Sequence, residues 1–481
     1  MDDLRRSPFK VAKIENDPTA FGRRVEDVLA CATALFNRRH VLISGPRGIG
    51  KSSLGSQLQT AYEGNHILLE RCLVESKLPR YLCSFYACDS TTTLSELCLE
   101  ILYSLERRYL MLKSAKFEKV KITVELDLKL VKAKIESDVV TRRPATLATE
   151  LVLGLSEVLR SARLLGLQGI NVMIDELDLL SRDINFGHFV KIVHETLGRE
   201  SIDDVTFIFA GQRGIYSRLL QEDNSVERHI RHVPISVLEP EEARYVLDFA
   251  SNNAIPPFEI SRRASEMILS IAAGYPYDIH LIGDAAFAAM QKPNEMQPSD
   301  VLRGLNDILR SDKREKYLEK LRALNDNERL IIVSLARYSD KHIPMRIPLS
   351  WLEENLVGPL PDDVPLEEIL GSLGRSGYIT INEKDGVCQF REELLRIFTS
   401  LLLLDDREIE ARRLELEKSR PYSADKIPVL PVEVERQFLR DLISGTIDDN
   451  RINMAIRMLD STEFDAYWER EDDSGLTRFR R

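Results

Sequence analysis

Residues 45–52 read Gly-Pro-Arg-Gly-Ile-Gly-Lys-Ser and follow the apolar run Val41-Leu42-Ile43. The pattern G-x-x-x-x-G-K-[ST] between a strand and a helix-forming stretch is a phosphate cradle, or P-loop. Its glycines let backbone N–H groups curl around phosphate oxygens without Cβ clashes. The helix from about Ser52 aims its N-terminus at the same anion. Lys51 can reach the β- and γ-phosphates, and the Ser52 hydroxyl can ligate Mg²⁺. Gly45, Pro46, Arg47, Gly48, Ile49, Gly50, Lys51, Ser52 and Ser53 are therefore the expected nucleotide-binding residues of this loop.

A second motif is Ile170-Asn171-Val172-Met173-Ile174-Asp175-Glu176-Leu177-Asp178. A buried strand ends there in adjacent carboxylates, and ligands of parallel sheets bind at the carboxyl ends of strands. Asp175 is placed to hold Mg²⁺, with Ser52, and Glu176 to orient and deprotonate an attacking water. A third strand, Val205 to Ala210, is followed by Gly211-Gln212-Arg213, so Gln212 stands at a strand tip where it can contact the γ-phosphate and the water. No NKxD-type guanine-reading sequence occurs, which favours ATP over GTP.

The elements that carry these residues belong to a chain of 481 residues, long enough for about three domains. With 43% hydrophobic and 30% charged residues the composition is that of a soluble globular protein. The net charge of −11 sets the whole chain apart from polycations that seek nucleic acid or anionic lipid. No apolar stretch reaches the roughly 18–20 residues of a membrane span, and the N-terminus lacks a signal-peptide core. The six cysteines show no CxxC spacing, which predicts reduced core residues, no zinc site and a cytoplasmic setting.

The order of these parts resembles an AAA+ or STAND-type ATPase of the origin-initiator and archaeal or bacterial signalling-ATPase branch. Phe21-Gly22-Arg23 with Val25-Glu26 is similar to the F-x-G-R-x-x-E box that precedes the P-loop and packs near the adenine, except that Phe21 directly abuts Gly22. The resemblance therefore implies nucleotide contacts from Phe21 and Arg23. Gln212 is similar to the sensor-1 position. Arg228-His229-Ile230-Arg231-His232-Val233-Pro234-Ile235, ending at Leu238-Glu239-Pro240, resembles the arginine-finger segment. Apolar residues at +2, +5, +7 and +10 from Arg228 favour it over Arg231 as the finger, which completes a neighbouring subunit's site and stabilises charge on the transferred phosphoryl group. Gly274-Tyr275-Pro276-Tyr277 resembles the G-x-P element of a helical lid, which places Pro276 at the nucleotide; Tyr277 stands where initiators often carry an arginine, with His280 a turn later.

The expected fold is α/β: a P-loop NTPase three-layer sandwich, the AAA+ core, over 1–238, a helical lid over 239–324, a winged-helix domain over 325–405 and a helical extension over 406–481. Between the second strand and the Asp-Glu strand, Val120, Ile122, Val124, Leu126, Leu128 and Leu130 alternate with polar residues, a half-buried strand pattern that flips phase at Val131. This ribbon packs on its own domain or serves as an oligomerisation or partner-docking element. In the winged-helix segment the third helix, from Leu366, carries Glu367 and Glu368 against Arg375, and residues 326–400 hold 13 Asp and Glu against 8 Lys and Arg, a net of −5. Phosphate repulsion opposes tight DNA docking by such a surface.

The leading expectation is an ATP-binding and ATP-hydrolysing switch that forms homo-oligomers, requires ATP and Mg²⁺, and engages a protein partner through its C-terminal region; the resemblance implies regulation or anti-phage defence as context. The alternative is a DNA-handling ATPase, of the initiator or transposition-regulator type, that assembles on duplex DNA. Neither reading involves a membrane.

Overall fold

A computed structural model gives the fold and describes residues 6–74, 78–117, 143–310, 312–336, 338, 346–356, 364–382 and 385–402. The ribbon at 119–136 and the stretch 406–481 lie outside the described residues. The chain forms two compact units, one spanning Ala12–Glu242 and the other joining residues up to Val11 with those from Ala243 onward.

The first unit is built on five parallel strands: β1 (His40–Ser44), β2 (Tyr81–Ala87), β3 (Gly169–Asp175), β4 (Val205–Gly211) and β5 (Ile230–Pro234). Their order across the sheet is β2-β3-β4-β1-β5. Strands β1, β3 and β4 are buried along their whole length, the pattern of parallel strands covered on both faces. The edge strands β2 and β5 each turn part of their length to solvent.

Helices cover both faces. Leu94–Phe117, Pro144–Leu164 and Phe186–Arg199 share one apolar core with the sheet, in which Leu102, Leu155 and Val193 pack with Ile174, Phe207 and Phe209. Gly154 allows the first two helices to approach closely, since a Cβ there would lie 2.7 Å from the Leu102 side chain. Val25–Phe36 and Lys51–Tyr62 belong to the other layer. The result is a three-layer α/β sandwich in which β4 lies between the strand that feeds the phosphate loop and the strand that ends in Asp175.

The second unit is largely helical. Ser261 caps the helix Arg262–Ala272 by accepting from the Ala264 N–H (3.3 Å). Ala273 and Gly274 then take left-handed φ values of 50° and 78° and stop that helix, and Pro276 occupies the first turn of the next, Pro276–Ala288. Phe9 from the N-terminal arm packs against this helix at Gly283, where a Cβ would be 2.5 Å from the ring. Helices follow at Pro298–Arg310, Asp312–Arg322, Asp326–Ala336, Leu349–Glu354, Leu366–Arg375 and Glu393–Leu402. Among them the strands Ile347–Pro348, Val387–Phe390 and Ile379–Asn382 form an antiparallel sheet in that spatial order. The two-residue strand at Ile347 carries no sequence signal of its own, being too short to show alternation.

Candidate nucleotide site

The phosphate loop leaves β1 at Ser44 and enters the helix Lys51–Tyr62. Gly48 and Gly50 have φ values of 77° and 99°, which other residues adopt only under strain. Gly45 lies against the Ile235 carbonyl, 3.1 Å from where a Cβ would stand. The Lys51 ammonium donates to the carbonyls of Gly45 (3.1 Å) and Pro46 (2.9 Å), so it is held over the loop. Burial pushes its pKa below that of an ordinary lysine, and the negative charges of Asp175, Asp178 and Glu176 oppose the shift.

Gly55 sets the depth of the helix on the sheet, since a Cβ there would overlap the Met173 thioether of β3. Asp175 closes β3 and is buried. Its Oδ1 accepts the backbone N–H of Glu176 (2.8 Å). Glu176 is solvent-exposed and left-handed at φ 55°, a conformation that costs a non-glycine residue roughly 1–3 kcal/mol. The following 3-10 turn fixes it, with the Leu179 N–H donating to the Glu176 carbonyl (2.9 Å). Among the described residues no group of three or more His, Cys, Asp or Glu could hold a metal unaided. The donors Ser52 and Asp175 fit Mg²⁺ instead, a hard cation bound by few protein oxygens together with phosphate and water.

Gln212 follows β4, whose last residue Gly211 is in register with Ser44. The sheet order thus delivers Gln212 between the loop and the Asp175–Glu176 turn. Asp178 grips it twice: Oδ1 accepts the Gln212 backbone N–H and Oδ2 accepts Nε2, both at 2.8 Å.

Phe21 is buried and Arg23 exposed, whereas the adjacent Arg24 is buried at a left-handed φ of 45°. Arg24 donates through Nη2 to the Ile49 carbonyl (2.6 Å) and through Nη1 to the Ser236 carbonyl (2.8 Å) and to Asp27 (3.2 Å). This second arginine, rather than the one in the motif, ties the N-terminal segment to the loop. The same segment runs along the loop's helix, where the Ser53 hydroxyl accepts the Glu15 N–H (3.0 Å) and Gln57 donates to the Glu15 carbonyl (2.8 Å).

Arg228 and Arg231 are both exposed. Arg228 sits in the one-turn helix Val226–His229 that leads into edge strand β5, while Ile230, Val233, Ile235 and Leu238 are buried. Ile230 pairs with His40, at the end of β1 opposite Ser44. Four residue steps of β1, about 13 Å, separate that end from the loop. The His229 ring lies tilted by 32° against His194 (centroids 3.9 Å apart), and His194 Nδ1 meets Nε2 of the buried His40 (3.3 Å).

Pro276 belongs to the second unit, as the first residue of its helix. In that unit His280 Nδ1 accepts the Lys10 N–H (3.4 Å), and burial pushes its pKa to about 4. His280 is therefore neutral near pH 7.

No protein-family model and no curated protein matches the sequence. Solved structures do match. The Aeropyrum pernix ORC2 protein in its ADPNP–ADP complexes is 14% identical with a TM-score of 0.50, over 85% of this chain and 99% of that one. The fold is similar to that of this ORC2 protein. A Walker-type ATPase of Pyrococcus abyssi is 16% identical with a TM-score of 0.49, over 82% of this chain and 98% of that one. Cdc6p of Pyrobaculum aerophilum is 16% identical with a TM-score of 0.39, over 86% and 98%. In this fold the loop, the Asp175–Glu176 turn and the Gln212 strand tip meet at one end of the sheet. No helix among the described residues is long and apolar enough to cross a membrane.

Proposed function

We propose that this chain binds and hydrolyses ATP, and that its nucleotide state governs assembly on duplex DNA. The observation that carries the ATPase part is the convergence of Lys51, Asp175, Glu176 and Gln212 at the carboxyl ends of three adjacent strands. The loop N–H groups and Lys51 would bind and orient the triphosphate. Mg²⁺ held by Ser52 and Asp175 would neutralise phosphate charge. Glu176 takes the proton of the attacking water, and Gln212 holds that water in line. The Arg228 position, a strand's length from its own loop, suits a finger that serves a neighbouring subunit. Hydrolysis then depends on assembly.

The DNA part draws on the likeness to the origin-initiator fold and on a C-terminal order of helices and paired strands that we read as a winged helix. A second reading, a self-assembling regulator that engages a protein, draws on the net charge of −5 over residues 326–400. Turnover measured with and without duplex DNA at rising salt separates the two. Stimulation by DNA that is lost steeply with salt supports DNA handling. Turnover that rises with protein concentration and ignores DNA supports the regulator and rejects DNA handling.

A further inference from the structure

We propose that Asp178 is a positioning residue for hydrolysis, which locks the amide of Gln212 in the orientation that presents its Oε1 to the attacking water. The inference rests on the ATPase reading above. An ionised carboxylate only accepts hydrogen bonds, so the Gln212 group that faces Asp178 is necessarily the NH₂. Both oxygens of Asp178 are engaged by this one residue, Oδ1 by the backbone N–H and Oδ2 by Nε2. The backbone contact fixes where the strand tip lies, and the side-chain contact fixes which way its amide is turned. The acceptor Oε1 is thereby left for a ligand.

Gly211 gives independent support. A Cβ at this position would come within 3.3 Å of Asp178 Oδ1 and 3.2 Å of the Ile215 side chain, so the last residue of β4 leaves room for the carboxylate. Asp178 is three residues beyond Asp175, in the 3-10 turn Leu177–Leu179 that also fixes Glu176. One short turn therefore sets both Glu176, which removes a proton from the water, and the residue that accepts its second hydrogen bond. An unrestrained glutamine amide would present NH₂ and carbonyl alternately, and only one of these accepts from water.

The test compares ATP turnover of the full chain with Asp178→Ala, Asp178→Asn, Gln212→Ala and the double variant Asp178→Ala/Gln212→Ala. Binding of a fluorescent ATP analogue is measured alongside. Misplacing one reacting group costs roughly 10- to 100-fold in rate. Asp178→Ala should lower kcat by about that factor while KM and analogue affinity stay within about threefold. Asp178→Asn keeps the shape but accepts only one of the two N–H groups, so it should lose kcat similarly even where the alanine variant folds poorly. The double variant should be no slower than Gln212→Ala alone. Wild-type kcat in either Asp178 variant, or losses that multiply in the double variant, overturns the assignment while leaving the ATPase reading intact. Wild-type turnover no faster than that of Glu176→Gln is a different failure: it removes the ATPase reading and the assignment with it.

Discussion

The guanidinium of Arg24 donates to the carbonyl of Ile49 at 2.6 Å, inside the phosphate loop. Its other contacts reach Ser236, beyond β5, and Asp27, at the start of the helix Val25–Phe36. One buried cation therefore joins the segment before the loop, the loop itself and the segment after the edge strand. Burial lowers the pKa of Arg24, and the ion pair with Asp27 opposes that shift.

Replacing Arg24 by alanine should leave the Ile49 carbonyl buried without its donor, a loss of about 1–3 kcal/mol. Thermal unfolding should shift down, and nucleotide affinity should fall about tenfold as the loop loosens. Arg24→Lys should recover little of either, because an ammonium cannot span the same forked set of acceptors. Full nucleotide affinity in Arg24→Ala would show that the loop holds its shape without the tether.

What the sequence reveals here is the chemistry that lies close together along the chain. The loop at 45–52 and the strand ending at Asp175 combine specific spacing with apolar flanks, and the strand tip at Gln212 follows from an apolar run and a glycine. Arg24 is hidden because it neighbours Arg23, and only the left-handed φ at Arg24 decides which guanidinium turns inward. The grip of Asp178 on Gln212 spans 34 residues and exists only because β4 inserts between β1 and β3. Its one sequence signal is a third carboxylate just past the Asp-Glu pair.

Nucleotide binding should weaken at alkaline pH sooner than for an ordinary phosphate-binding lysine. Burial lowers the Lys51 pKa from its usual 10.5, so the ammonium loses its proton at a lower pH than an exposed lysine does. Analogue titrations carried from neutral into alkaline pH should show affinity falling as pH rises past the lowered lysine pKa. Lys51→Ala should bind weakly at every pH in this range. A flat profile for the wild-type chain would contradict the assignment of Lys51 to the phosphates.

Acid should destabilise the first unit through His40. Burial, with His194 and His229 nearby, holds the folded pKa at about 3, against 6.5 for a free imidazole. The unfolded chain therefore binds the extra proton, and stability present above pH 6.5 is lost as pH falls from there toward 3. The melting temperature should decline below about pH 6.5, and His40→Asn should flatten that decline. An equally steep decline in the variant would place the acid sensitivity elsewhere.

Gly304 predicts a stability effect opposite to helix propensity. Alanine in a helix interior is normally better than glycine by about 1 kcal/mol. A Cβ at 304, however, would lie 2.5 Å from the Ala286 backbone nitrogen in the neighbouring helix. Gly304→Ala should therefore lower stability, by roughly 1–3 kcal/mol for an overpacked contact. Denaturant titration checks this, and a stabilised variant would show that the helix pair has room to separate.

Arg228 offers a test of assembly. Arg228→Ala keeps its own phosphate loop, and Lys51→Ala keeps its own Arg228, so neither alone should turn over ATP. Mixed in equal amounts, they should recover part of the wild-type rate, because each supplies what the other lacks across the interface. No recovery on mixing would remove the finger in trans.

Activation of water by Glu176 at a triphosphate held by the loop is the step on which hydrolysis turns. It is tested most directly by steady-state ATP turnover of the full chain against Glu176→Gln, with analogue binding measured on both. The two proteins should bind the analogue with similar affinity, while only the wild-type chain releases phosphate. Equal phosphate release from both proteins, or none from the wild type at any concentration, would contradict it.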